Sequence, residues 1–355
     1  MTEPSGIYRR GVQTSSSKRP PADLPLPELA ICRRPADQYA ALRARGVHRL
    51  DDGWVVAKPE DVAAALASPA LSVAPPGSPL GAARQLQARM ARFSDGADHA
   101  RRRAVLEALL PGVEGVEQAA AVRAGALLGG WVAPFDVMPL ARTVPVAVLA
   151  AALGVASAHI ERVVTLTSRL CDALAPSLAP PPASRDVDLV ASELVALLEP
   201  MGPWDIEQVA AAAGVLFQAR DATAALIGAA LLAGDHEPHG DADRWIERAL
   251  WQDAPVQCTR RVAIADVVLG GVAVPRGASV WVVLAGTVHG GTERGPAAFG
   301  AGPHACPGSS LALALARGVV AAVRACGLRP VPGQPVSYEP RPNLRLPARV
   351  LVERS

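Results

Sequence analysis

The residues best suited to chemistry lie together in "FGAGPHACPG", residues 299–308, where Cys306 follows His304 by two positions in a glycine-rich run. Gly300 and Gly302 free the backbone for conformations closed to other residues and for close approach to a flat ligand. Beyond Pro307 and Gly308 the sequence "SLALALARGVVAAVRACG" carries a helical apolar pattern that stops at Gly327. A cysteine just before a helix meets unpaired N–H groups and the positive end of the helix dipole, both of which favour the thiolate. Three readings of Cys306 follow: a metal ligand, a nucleophile, or a buried thiol that acts as a small apolar residue. Zinc suits the loop poorly, because Cys306 and His304 fill only half a tetrahedron and no CxxC pair completes it. A nucleophile lacks a second histidine in a context that marks a base.

Further groups stand at chemically useful spacings. His99 and Arg103, four apart in "DHARRRAVL", share one helix face, with Arg101 and Arg102 beside them. Arg261 lies in "QCTRRVAIADVVLGGVAVPRG", and a polar island of Gln218, Arg220, Asp221 and Thr223 interrupts an otherwise apolar stretch.

The elements that must hold these residues are mostly helical. A helix, a hairpin turning at Asp51-Asp52-Gly53 and a second helix span 37–72, and another helix starts after Asp95 with a Pro-Gly stop at 111–112. Alanine- and valine-rich helices continue to about residue 174, and "APSLAPPPASRD" reads as a surface loop. Residues 204–234 form one long helix, apolar on nearly every face and therefore buried. After the helix "DADRWIERALW", an alternating segment turns at Gly270-Gly271 and Pro275-Arg276-Gly277 as a small antiparallel sheet, and the tail adds one or two strands ending in "RVLVE".

Composition bounds the function. With 355 residues, 50% hydrophobic content and a net charge of +2, the chain can bury a large core and lacks the basic balance of a nucleic-acid binder. Five cysteines without regular spacing argue for a reducing compartment. The polar, proline-rich residues 1–25 read as a mobile lead with no secretion signal. Charges at Asp136 and Arg142, and at Arg220 and Asp221, interrupt the most apolar helices before spanning length. The expectation is a cytoplasmic protein without a membrane anchor.

The motif Phe-Gly-x-Gly-x-His-x-Cys-x-Gly ahead of an apolar helix resembles the haem-ligand loop of the cytochrome P450 family in its soluble bacterial form. The resemblance runs over nearly the whole chain and implies a mainly α fold with a minor antiparallel β region, one domain over 26–355, and haem b between the central helix and the helix starting at Ser309. Cys306 becomes the iron ligand, with Phe299, Gly300, Gly302 and Ala222 against the cofactor. His99, Arg103, Arg261 and His304 would meet the haem propionates. Arg101 and Arg102 read as a solvated face or a docking patch for an acidic electron donor. On the family's central box, Gln218-Ala219-Arg220-Asp221-Ala222-Thr223 places Asp221 as the proton-relay acid, leaves Ala222 where a hydroxyl is usual, and puts Thr223 one residue late. A structural Arg220–Asp221 pair is the other reading. The loop "SVAPPGSPLG", the 176–182 region, the central helix and Val256-Gln257 would hold substrate.

The chain departs from the family at one structural unit. Trp251 and Arg248 occupy the places of the Glu-x-x-Arg pair that normally braces the cysteine loop, and the segment supplying its third partner is deleted before "VHGGTERGPAAFGAG". Two functions follow from the resemblance. One is a haem-thiolate monooxygenase or related oxidase acting on a small, secondary-metabolite-like substrate with a ferredoxin-type electron donor. The other is an auxiliary protein without turnover that binds and activates a partner such as a glycosyltransferase. Arg220 adds peroxide-driven chemistry as a third.

Overall fold

The computed structural model describes residues 26–32, 35–50, 53–73, 80–132, 134–175, 186–235, 240–285 and 297–355. The lead at 1–25, the hairpin turn at 51–52, most of the "SVAPPGSPLG" loop, the 176–182 region and the shortened stretch at 286–296 lie outside them.

Helices α1 (Pro35–Arg45), α2 (Pro59–Ala67), α3 (Ala82–Arg89), α4 (Gly96–Leu109), α5 (Val116–Leu128) and α6 (Met138–Ala152) lead into α7 (Ile160–Leu174) and α8 (Val187–Leu198). The central α9 (Ile206–Asp235) follows, then α10 (Ala242–Gln252) and α11 (Ser309–Ala325). Their ends obey local chemistry. The Asp205 side chain accepts from the Glu207 and Gln208 N–H groups, each at 2.9 Å, while Gln208 Oε1 accepts from the Asp205 N–H at 2.9 Å, a reciprocal cap that starts α9. Asp241 caps α10 through the Arg244 N–H, and Gly327, at φ +65°, ends the turn after α11.

α9 threads the core: Leu216, Ile227 and Leu231 are fully buried against α6, α10, α11 and α4. α11 lies across α5 at Gly318, where a Cβ would fall 2.2 Å from the Glu117 carbonyl oxygen. Only hydrogen at that position lets the two backbones touch. By length and composition Ile206–Gly234 and Gly302–Ala325 are both apolar enough to cross a membrane, so Arg220 and Asp221 do not interrupt α9 as the sequence reading expects. The protein interior covers 67% and 50% of their most apolar windows.

The strands are β1 (His48–Leu50), β2 (Gly53–Val56), β3 (Leu71–Ser72), β4 (Phe135–Asp136), β5 (Cys258–Ala263), β6 (Val267–Leu269), β7 (Val272–Val274), β8 (Ser279–Val283), β9 (Leu328–Pro330) and β10 (Leu351–Arg354). The largest sheet has the order β1-β2-β8-β5-β3, and β6-β7 form the expected hairpin at Gly270-Gly271. The larger sheet is mixed, because β2 pairs with β8 in parallel while its other pairs are antiparallel. β4, β10 and β9 make a second antiparallel sheet.

A polar clip ties the first described turn to the C-terminal segment. Buried Arg345 donates from Nη1 to the carbonyls of Ala30 (3.2 Å) and Cys32 (2.6 Å) and from Nε to Asp253, just past α10. Tyr338 donates to the other Asp253 oxygen at 3.0 Å, with its ring 3.7 Å from the Arg345 guanidinium carbon. One guanidinium thus satisfies a carboxylate and two carbonyls away from water.

Candidate functional site

The cysteine loop is two short 3-10 turns, Ala297–Phe299 and Gly302–His304, joined by glycines in the left-handed region. Gly300 has φ +70° and Gly302 φ +68°. A Cβ on Gly302 would sit 2.9 Å from the Leu66 carbonyl oxygen, so the loop rests directly on the end of α2. The Cys306 N–H returns to the Phe299 carbonyl at 2.8 Å, and the Ala305 N–H to Gly302 at 3.0 Å. The side chain of Cys306 is exposed. Burial of the surrounding space nevertheless pushes its thiol up, opposed by the Gly308 backbone N–H and by Arg103 and Arg92. Cys306 thus stands exposed with Arg103, Arg92 and the Gly308 N–H acting on its sulfur, and a metal bound there would displace the thiol proton outright.

Basic groups crowd beside it. The rings of buried His99 and of His304 lie 4.0 Å apart, tilted by 37°. His304 Nε2 is 3.3 Å from Asp95 Oδ1, and the other Asp95 oxygen accepts from Ser72 Oγ (2.6 Å) and the Val73 N–H (3.1 Å). Burial, His99 and Arg261 bring His304 down to about 4, and burial and Arg103 lower His99 as well. Among the described residues, buried Arg261 bonds neutral oxygens, Thr259 Oγ1 at 2.9 Å and the Arg260 carbonyl at 3.3 Å. Desolvation and Arg92 bring it down to about 10. Arg92, in the turn before α4, makes no ion pair among the described residues. Asp95 is the acid acting on both Arg261 and His304. The arrangement sets two arginines and two histidines against the single carboxylate of Asp95 among the described residues.

The expected residues divide. His99, His304 and Arg261 meet at this place, whereas Arg103 turns its guanidinium to the loop, donating to the Ala305 carbonyl at 2.5 Å and to Glu107 at 2.6 Å. Arg101 is exposed, as a solvated face requires, while Arg102 is half-buried, and both are engaged. Arg101 is bonded to Glu207 at 2.6 and 2.9 Å, and Arg102 donates to the Ala88 carbonyl at 2.8 Å, which fastens α4 to the start of α9 and to α3. Arg92 and Asp95 were outside the sequence expectation. The signal that marks Asp95 is its place before α4, and Arg92 has none beyond its charge.

Midway along α9, Gln218, Ala219 and Ala222 are only partly covered in a helix otherwise almost wholly buried. At three- and four-residue spacings they line one helix face. Asp221, Arg220 and Thr223 are buried. Arg220 Nη1 bonds Asp221 Oδ1 at 2.8 Å and Asp172 on α7 at 3.0 Å. Arg341 stands 3.5 Å from the other Asp221 oxygen and 3.7 Å from Asp172. Burial pulls Arg220 down, but Asp221, Cys171 and Asp172 outweigh it and raise the guanidinium above its ordinary range. Gln257 is buried and Val256 half-buried, with Gln257 donating to the Ala254 carbonyl.

The fold itself has many solved counterparts. A structure of CYP109Q5 from Chondromyces apiculatus superimposes with a TM-score of 0.76 at 22% identity, covering 94% of this chain and 98% of that one. The chain has the cytochrome P450 fold. P450BioI, solved in complex with an acyl carrier protein bearing hexadec-9Z-enoic acid, matches with a TM-score of 0.75 at 19% identity over 92% of this chain and 100% of its own. CalO2 matches at 0.73 and 22% identity over 91% of this chain and 96% of its own. Among curated proteins, the cytochrome P-450 monooxygenase DoxA of Streptomyces sp. (strain C5) is 34% identical over a stretch covering 31% of each chain. The match thus spans about a third of that relative's length. No family model matches the chain. On this P450 fold, Arg248 turns along α10 to Gln252 Oε1 at 3.0 Å, and Trp251 is half-buried.

Proposed function

We propose that the protein is a haem-thiolate cytochrome P450, a monooxygenase or related oxidase acting on a small, secondary-metabolite-like molecule. The observation that carries this reading is the juxtaposition of an accessible Cys306 sulfur at the start of α11 with His99, His304, Arg261 and Arg92, a basic group opposed by Asp95. Haem b fits this donor set: the iron needs the soft anionic sulfur, and two carboxylates would find basic partners that the one carboxylate of Asp95 does not match in number. Bound there, haem supplies oxidation of a substrate C–H bond.

The chain's own residues have distinct tasks. Cys306 provides the thiolate, held by the Gly308 N–H and the positive start of α11. Arg261, His99 and His304 orient the carboxylate rim. The small side chains of Ala219 and Ala222 leave space for a flat group and for substrate beside α9. Asp221, between Arg220 and Arg341, is the candidate acid of a proton relay. A ferredoxin-type protein would deliver electrons, and the cytoplasm would be the site of action. The DoxA similarity supports the monooxygenase class.

The deciding measurement is the absorption spectrum of the reduced, carbon-monoxide-bound protein. The reading expects a red-shifted, thiolate-type Soret band that disappears in Cys306→Ala. A chain that cannot be loaded with haem would refute it. A chain that binds haem but oxidises nothing with either a ferredoxin system or peroxide, while raising the rate of a partner enzyme, would establish the auxiliary role instead.

A further inference from the structure

We propose that Gln218 is a positioning residue whose carboxamide oxygen, on the open side of α9, holds a water molecule beside the cofactor. This deepens the haem-thiolate reading and rests on it. Midway along a helix buried over most of its length, Gln218, Ala219 and Ala222 are only partly covered. Residues four apart share a helix face, so Gln218 and Ala222 stand one turn apart on the same side. The other polar side chains of this stretch are engaged elsewhere or enclosed. Asp221 is bonded by Arg220 at 2.8 Å and approached by Arg341 at 3.5 Å, Arg220 reaches Asp172 on α7 at 3.0 Å, and Thr223 is only 2% exposed. Gln218 is thus the polar side chain that the middle of α9 offers to a ligand on its open side.

The carboxamide is held in one direction. Its Nε2 donates to the Gly214 carbonyl, one turn back, at 3.1 Å. A carbonyl only accepts, so it must meet the NH₂ end of the amide, and the oxygen is turned to the other side. That oxygen makes no hydrogen bond among the described residues, and, unlike the buried Gln257 Oε1, it is reached by solvent. The anchor is itself fixed, because Met90 packs on Gly214 with its Cγ 3.2 Å from where a Cβ would sit. A carboxamide neither gains nor loses a proton near neutral pH, so Gln218 orders a hydrogen-bond donor without being an acid. Water fits that need: it gives one hydrogen to Oε1 and keeps a second hydrogen and its lone pairs for whatever lies beside the helix.

The test uses the haem-loaded, substrate-free ferric protein, whose spin state reports on a sixth, water ligand: low-spin with it, high-spin without it. Gln218→Leu keeps the volume and removes the acceptor, and is expected to raise the high-spin share several-fold. Gln218→Asn, which draws the oxygen back by one methylene, should move the same way by less. Adding Ala222→Thr to Gln218→Leu places an accepting oxygen one turn along the same face and is expected to restore the low-spin share. A Gln218→Leu protein as low-spin as its parent overturns the proposal, as does a parent that is high-spin throughout. A high-spin share that Ala222→Thr leaves unchanged is equally fatal. The urea midpoints of the variants should match the parent, because the Gln218 hydrogen bond lies within its own helix. A spin change seen only together with a lowered midpoint makes Gln218 a structural residue and defeats the inference. A parent chain without the thiolate-type carbon-monoxide band defeats the functional reading and this inference with it, whereas a parent with the band and an unresponsive Gln218→Leu defeats this inference alone.

Discussion

Replacing Asp221 by Asn separates a structural anion from a catalytic one. Asp221 is reached by Arg220 at 2.8 Å and by Arg341 at 3.5 Å, and the three residues are only 9%, 7% and 8% exposed. Removing one partner of a buried ion pair typically costs about 3–5 kcal/mol, because the remaining charge stays desolvated. Here Asp172 still touches both cations, at 3.0 and 3.7 Å, so a loss of about 2–3 kcal/mol is expected. The Asp172 side chain is itself 53% exposed, and Asp172→Asn should cost only about 0–1 kcal/mol. Urea unfolding followed by far-ultraviolet circular dichroism measures both, provided the slope with denaturant is unchanged. A stability of Asp221→Asn within about 0.5 kcal/mol of the parent, a size usual for surface changes, would refute the argument, as would an equal loss in Asp172→Asn. The same experiment sets the terms for turnover. A slower Asp221→Asn enzyme reports on proton delivery only after correction for its folded fraction.

Other outcomes follow from single contacts. Glu207, held by Arg101 and Arg102, has its carboxyl depressed from 4.5 to about 2. Its contribution is therefore complete above pH 4.5 and disappears as pH falls toward 2. The stability difference between parent and Glu207→Gln should be about 1 kcal/mol at neutral pH, since the pair is partly exposed, and should vanish at the acid end and shrink in salt; a difference that grows on acidification would contradict this. Gly318→Ala places a methyl against the Glu117 carbonyl, where no side chain can yield, and should cost about 3 kcal/mol; an unchanged melting temperature would show that α5 and α11 can separate freely. Arg345→Met strands Asp253 and the carbonyls of Ala30 and Cys32 and should cost about 3–4 kcal/mol in denaturant unfolding. A near-parental midpoint for that variant would mean that water replaces the guanidinium.

What was legible in the sequence was what is local. The loop around Cys306, the start of α4 after Asp95, the length of α9 and the β6-β7 turn all follow from glycine, proline and capping residues within a few positions. His99 and His304 emerged from a motif, and the structure brings their rings together. The misses involve long-range partners. The parallel pairing of β2 with β8 joins segments more than 200 residues apart, and neither strand's alternation encodes direction. Arg341 reaches Asp221, and Asp172 reaches Arg220 and Arg341, from separate elements, so the sequence shows the Arg220–Asp221 neighbours but not the four-member group. Arg101 is exposed as the solvated-face reading expects, but helical periodicity cannot reveal that Glu207 lies opposite it and Arg102. Arg103 has the expected position on α4, but its direction depends on a carbonyl some 200 residues later.

The clip at Arg345 has a bearing on the order of assembly. Its contact with Ala30 closes a span of 315 residues, so the first helical turn of the described chain acquires its buried partner only when the last dozen residues are available. During synthesis, the carbonyls of Ala30 and Cys32 must stay solvated while everything between them and Arg345 emerges. The helical interior can form earlier from nearer contacts, whereas the N-terminal segment, Asp253 and the tail lock together in one late event. A chain cut short before residue 345 would keep most of its helices and lose the means of fastening the Ala30–Cys32 segment to Asp253.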